Sequence, residues 1–178
     1  TPTTNSTYLD AGVKLDRTAV PEGGRVAVLD PAMHAALANA NLALFNPVGD
    51  ITSLYRKGQF GKEALGISEW FKDQNVETHT VGPLGGTPLV NGANQVGSTI
   101  DLDGWTAAAA NRLKRGDVIQ LAGVFSINPQ SYKSTGQLQD FVVTADVDST
   151  AGGVTDDVPI SPSIVIAGNL QTVSASPA

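Results

Sequence analysis

Gly24-Arg25-Val26-Ala27-Val28-Leu29-Asp30-Pro31 is the stretch on which the reading of this chain turns. Arg25 to Leu29 is apolar at both alternating sets of positions, the pattern of a strand buried on both faces. Asp30 then offers an N-cap oxygen, and Pro31 occupies the first helical position, where a missing N–H costs nothing. Met33, Leu37, Ala40 and Leu44 come next at i, i+4, i+7 and i+11, one stripe of an amphipathic helix. Asn46-Pro47 is expected to end that helix, because the residue before a proline avoids the α region. A strand feeding directly into a helix is the result.

Before this unit, Asn5, Ser6 and Thr7 are cap-type residues ahead of Tyr8 to Val13, which predicts a short helix, or the tail of a longer one, stopping before Pro21. Asn5-Ser6-Thr7 also fits the glycosylation sequon, but no signal-peptide pattern precedes it and we read it as coincidence. Met33 is the only methionine, so the chain is expected to start inside something longer or to have been processed. After the unit, Asp50 caps a second predicted helix from Ile51 to Phe60, with Ile51, Leu54 and Tyr55 on one side. Phe60 to Leu65 reads as a loop or single turn. Ile67 to Val81 reads as an extended segment anchored by Trp70 and Phe71.

The composition changes near residue 80. All four glutamates lie before it, the last at Glu77, and the remainder is built from Gly, Ser, Thr, Val, Ala and Asp, a mixture that favours strands and turns. A boundary is expected near Val81, with Gly82-Pro83-Leu84-Gly85-Gly86 as linker. Beyond it, Ser98 to Leu102 alternates as a strand and Asp103-Gly104 reads as its turn. Asp117 to Ala122 and Gly123 to Ile127 form strand segments joined at a glycine that suggests a bulge. Leu138 to Val147 is the longest predicted strand, with Phe141, Val143 and Ala145 on one face. Ala151-Gly152-Gly153 is a turn, and Val158 to Ile166 reads as a further strand pair or meander. Such spacing predicts a small antiparallel barrel or sandwich. The expected fold class is α+β: residues 1–80 one region, 81–168 a β-barrel, and 169–178 a flexible tail.

The 178 residues suffice for a hydrophobic core without staples. With no cysteine, disulfide scaffolds, thiolate metal sites and Cys nucleophiles are excluded. No apolar run approaches the ~20 residues of a membrane span. Eleven basic against 17 acidic side chains give a net charge of −6. Residues 81–178 hold four basic and eight acidic groups, so DNA contact is the last role expected of them.

The candidate chemistry is sparse. Gly58-Gln59-Phe60-Gly61-Lys62-Glu63 lacks the hydroxyl a phosphate-binding loop needs after its lysine, and Gly82 to Gly86 lacks dinucleotide spacing. Both read as turns. His34 and His79 have no local partner, and a triad would need a serine and an acid supplied by folding; each is expected to be exposed or held by a structural hydrogen bond. Asp101/Asp103, Asp146/Asp148 and Asp156/Asp157 have the oxygen chemistry of a calcium loop but not its spacing, so strand ends and turns are preferred. Arg112-Leu113-Lys114-Arg115 carries three cations in four positions without interleaved aromatics and reads as a charged turn, with an acidic partner surface left open.

Taken in order, these motifs resemble a known family. Gly24 to Pro31 with its helix resembles the strand-and-helix unit in the core of tailed-phage major capsid proteins. Leu44-Phe45-Asn46-Pro47, Leu54 to Gly66 and Val76 are similar to the helix and loop that succeed that unit in those proteins. Leu113 to Ile119 with Ala122-Gly123-Val124, and Gly136 to Thr144, resemble strands of the inserted β-barrel in coat proteins of the short-tailed Salmonella-phage type. The resemblance implies a structural subunit of an icosahedral capsid, in the virion and assembled in the bacterial cytoplasm. Catalytic, cofactor-binding and metal residues are then expected to be none. The implied partners are other coat-protein copies, scaffolding and portal proteins, with packaged DNA touched only indirectly and no membrane. The family's N-terminal arm, spine helix and further core strands are not seen in these residues, so an internal fragment is expected. A β-rich tail or adhesin module recognising sugar or protein is the alternative, and a hydrolase built on scattered Asp and His is the weakest reading.

Overall fold

The computed structural model describes residues 4–41 and 64–177. The predicted helix from Ile51 to Phe60, the Asn46-Pro47 stop, Leu44 and the Gly58–Glu63 loop lie outside them. The chain divides into two compact units, Thr1–Thr78 and His79–Ala178.

The first unit holds helix α1 (Asn5–Arg17), strand β1 (Val26–Leu29), helix α2 (Pro31–Asn41) and strand β2 (Glu69–Lys72). α1 ends before Pro21, as its sequence implies. It stops where Thr18 donates both its N–H and its Oγ1 to Lys14 O, at 3.2 and 2.9 Å, ahead of Ala19 in the left-handed region. The Asp30 cap forms as the sequence implies: its Oδ2 accepts the Ala32 N–H at 2.8 Å and its carbonyl accepts the His34 N–H at 2.9 Å. Leu37 is fully buried on the predicted stripe, with Met33 and Ala40 half-buried beside it.

The expectation that β1 is buried on both faces is wrong. Among the described residues β1 pairs in parallel with β2 alone, Ala27 opposite Trp70 and Val28 opposite Phe71. One face of this ribbon, carrying Leu29 and Trp70, packs on Tyr8 and Leu37, while Val26, Val28 and Phe71 are each about half exposed on the other. An apolar sequence cannot show how many layers will cover it. Trp70 anchors the inner face, edge-on to Tyr8 with ring centroids 5.8 Å apart and its Nε1 donating to Ala64 O.

The second unit contains β3 (Gly86–Val90), β4 (Gly97–Trp105), β5 (Ala109–Leu113), β6 (Val118–Ile127), β7 (Ser134–Val143), β8 (Val147–Ser149) and β9 (Thr155–Ile164). Five strands form one antiparallel sheet in the order β3-β4-β9-β7-β6, and β5 pairs with β8 in a separate ribbon. The sheet's inner face carries Ile100 and Leu102 from β4, Leu121 and Val124 from β6, Phe141 and Val143 from β7, and Val158, Ile160 and Ile164 from β9. It curls so far that Leu89 of edge strand β3 and Leu121 of edge strand β6 line one apolar cavity of about 300 Å³, with Trp105 and Pro177. The sheet is thus nearly closed.

Several sequence expectations for this unit need correction. Asp103-Gly104 is no turn: β4 runs through it, and Gly104 sits at φ +74 where a Cβ would meet Thr87 O at 2.5 Å. Gly86 is not linker but the start of β3. β7 begins earlier than predicted and ends at Val143, so Ala145 is exposed rather than on the inner face. Val158 to Ile166 is not a strand pair but part of one long strand, β9, lying between β4 and β7. The Gly123 bulge does form, at φ +79, and moves the buried set of β6 from Leu121 to Val124. The tail from Asn169 is not loose. Val173 is fully buried, Ser174 N–H bonds Phe125 O at 2.9 Å, and Asn94 N–H bonds Pro177 O at 3.0 Å. Those apolar residues lacked a periodic neighbourhood and gave no sequence signal, yet they cover the margin of the sheet.

Candidate functional site

The charged groups that the sequence scattered over residues 79–149 come together in the second unit. Lys114 to Asp117 is a tight turn between β5 and β6: Asp117 N–H bonds Lys114 O at 2.9 Å, and Gly116 takes φ +99, which favours glycine. Asp117 is buried at 5% exposure. Its Oδ2 accepts the Lys114 N–H at 2.8 Å and the Gly82 N–H at 3.1 Å, and its Oδ1 lies 2.6 Å from His79 Nε2. A carboxylate only accepts, so Nε2 carries the proton. Burial pushes the Asp117 carboxyl up, but the donors of Lys114, His79 and Gly82 together hold it below its ordinary value.

Arg112, on β5, is the second centre. Its place among Lys114 and Arg115 in the sequence suggests a charged turn; it is instead 4% exposed. Its Nη1 donates to Pro83 O at 2.8 Å, its Nη2 to Thr106 O, and its Nε to Ser149 Oγ at 3.3 Å. The guanidinium also lies 5.7 Å from the centroid of the Trp105 ring. Arg115, by contrast, stays exposed on the turn as expected. Arg112 and Asp117 thus grip the same segment, one through Pro83 O and the other through Gly82 N–H. Gly82 is needed there, since a Cβ would run into the Arg112 carbonyl.

The paired aspartates act as caps. Asp101 Oδ1 accepts the Asp157 N–H, Asp146 Oδ1 the Arg115 N–H, and Asp148 Oδ1 the Asn111 N–H, each between 2.7 and 2.8 Å. Asp146 and Asp148 thus hold separate backbone amides, and Asp101 reaches across to the backbone of Asp157. No cluster of three or more metal-ligating side chains occurs among the described residues. In the first unit, His34 is buried at 1% exposure on α2, and burial, assisted by the Lys72 charge, lowers its imidazole below the usual range. Arg25 is also buried there, with Nη1 2.7 Å from Asp16 Oδ1 and its other nitrogens on Pro21 O and Val20 O.

Folding therefore brings an acid to His79 but no hydroxyl within hydrogen-bond reach among the described residues. The arrangement fastens backbone. Sequence reasoning missed Asp117 and Ser149; the one available signal was Asp117 after Gly116, an acid placed to reach back to the turn's own amides.

A family model described as P22 coat protein, gene protein 5, matches residues 3–177. The chain belongs to the P22 coat protein family. It is a bacteriophage coat protein, a structural component of the capsid, and family membership implies assembly with other copies of the coat protein. No curated protein matches the chain. No helix among the described residues is long and apolar enough to cross a membrane.

In this P22-type coat protein the buried polar ties fix the Gly82-Pro83 segment through charge-assisted bonds to its backbone.

Proposed function

We propose that this chain acts as a subunit of an icosahedral phage shell by self-assembly and not by catalysis. The observation that carries the reading is the family match over residues 3–177. In this reading residues 1–80 are part of the capsid core and residues 81–168 are an inserted β-barrel. The nearly closed sheet with its own core supports the second assignment. The two polar centres support the non-catalytic reading, because most of their hydrogen bonds are directed at backbone groups. Scaffolding and portal proteins are the further partners, packaged DNA is met only indirectly, and assembly takes place in the bacterial cytoplasm before the protein resides in the virion.

The test is negative-stain microscopy and sedimentation of the complete gene product expressed in bacteria, with and without a co-expressed scaffolding protein. Closed shells or capsomer-sized particles are expected. A strictly monomeric product under both conditions overturns self-assembly.

A further inference from the structure

We propose that Asn91-Gly92, in the connection between β3 and β4, is a site of spontaneous deamidation and backbone isomerisation in the folded coat protein. The reaction needs three things: an exposed asparagine amide, a following residue without a side chain, and a backbone N–H free to act as nucleophile. All three coincide here.

Asn91 and Gly92 are both exposed. The Asn91 backbone is tied, its N–H to Asp101 O at 2.9 Å and its carbonyl to Gln95 Nε2 at 2.8 Å, but its side-chain amide makes no hydrogen bond among the described residues. The Gly92 carbonyl accepts from Gln95 Nε2 at 3.2 Å, while the Gly92 N–H has no acceptor among the described residues. Gly92 sits at φ +101, and only the far end of the Gln95 side chain comes near the space a Cβ would fill. Neither the Asn91 side-chain amide nor the Gly92 N–H is held by a hydrogen bond among the described residues.

In the reaction the Gly92 nitrogen gives up its proton to solvent and bonds to Asn91 Cγ. The Cγ–NH2 bond breaks and ammonia leaves with a proton from water, closing a succinimide. Water then opens the ring at either carbonyl. One product is aspartate at 91; the other is isoaspartate, in which the main chain runs through Cβ and Cγ. Both add a negative charge, and the second lengthens the backbone by one carbon.

The lengthening falls on a clamp. Gln95 holds Asn91 O, Gly92 O and Asp101 O with its amide nitrogen, and accepts the Asp101 N–H on Oε1 at 2.7 Å. The neighbouring Asn94 N–H holds Pro177 O. Isoaspartate at 91 is therefore expected to loosen both the β3–β4 connection and the docked end of the chain.

The chain aged in buffer at mildly alkaline pH, digested with trypsin and analysed by fragmentation mass spectrometry, tests this. The peptide from Asp73 to Arg112 also contains Asn75, Asn94 and Asn111, each followed by a larger residue and serving as internal control. A time-dependent mass gain from replacing NH2 by OH is expected at Asn91 alone. It should be faster at alkaline than at mildly acidic pH, include isoaspartate detectable by isoaspartyl methyltransferase labelling, and be abolished in Asn91→Gln. In the aged protein the amides of Asn94 and Asp101 should lose hydrogen-exchange protection, which the Gln variant retains. Modification at the other asparagines in preference to Asn91 overturns the proposal. So does an unmodified Asn91 in the folded chain when the same residue reacts in urea.

Discussion

The two units bury their apolar residues to different depths. In the first, the core among the described residues is Tyr8, Leu29, Leu37 and Trp70, and the two-stranded sheet leaves Val26, Val28 and Phe71 half exposed. In the second, Val124, Phe141, Val143, Val158 and Val173 have no exposed surface at all, and a curled sheet closes around them. Both units also bury an arginine. Arg25 ties the loop between α1 and β1, with an acid as one partner; Arg112 ties three separate segments through Pro83, Thr106 and Ser149. Parallel pairs are normally covered on both faces, whereas an antiparallel sheet folds back on itself through short turns. The second unit is therefore expected to melt as a cooperative body under its own core, and the first to be the weaker partner.

The chain carries one tryptophan in each unit, Trp70 and Trp105, so single-tryptophan variants report the two separately. The largest effect should come from Phe141→Ala. Removing a fully buried ring is expected to cost about 3–5 kcal/mol, lowering the urea midpoint seen by Trp105 while the Trp70 transition stays in place. Equal shifts in both would break the distinction between the units.

Arg112→Met comes next. It keeps much of the apolar stem but leaves Pro83 O and Thr106 O without their donor, while Ser149 Oγ keeps the Ala109 N–H, an expected loss of about 2–3 kcal/mol. A loss much smaller than this in chemical denaturation would show that water replaces the guanidinium.

Asp117 makes the second unit sensitive to acid. Its carboxyl is held below the ordinary value in the folded state, so its contribution is complete above the unfolded carboxylate range and is lost as pH falls through the lower folded value. Stability of the second unit should therefore fall below about pH 4. Asp117→Asn should cost about 1–2 kcal/mol at neutral pH and flatten that acid limb. An unchanged acid limb in the variant would assign the sensitivity to other carboxyls.

Gly123→Ala should cost about 1 kcal/mol, because φ +79 is unfavourable for an L-residue although the surrounding space is open. Phe71→Ser, on the outer face of the small parallel ribbon, should change folding stability by no more than about 0.5 kcal/mol. A larger loss for Phe71 than for Gly123 would mean that the exposed face is covered in the folded chain in solution.

How much of the fold and of the polar centres is legible in the sequence differs by element. Asp30-Pro31 and the helix stripe can be read because a cap and a 3.6-residue period are local, and the Gly123 bulge because glycine there has few other reasons to interrupt an apolar strand. The burial of Arg112 is not legible, since Arg112, Lys114 and Arg115 look alike until β8 brings Ser149 against one of them. The His79–Asp117 contact spans 38 residues, beyond any local pattern. Asp103-Gly104 misleads because the same dipeptide serves a turn and a point where another strand comes close.

By itself the sequence determined what each segment could become: helices where caps and stripes agree, strands where apolar residues alternate, and an acidic, thiol-free chain without metal-loop spacing. Its ordered motifs also carried the resemblance to phage coat proteins. Only the tertiary structure decided which apolar faces are covered, that the last residues seal the sheet's margin, and which charges are structural. The physical reason is that periodicity is a property of neighbours along the chain. Burial and the pairing of distant charges depend on which segments meet, and here those partners lie tens of residues apart.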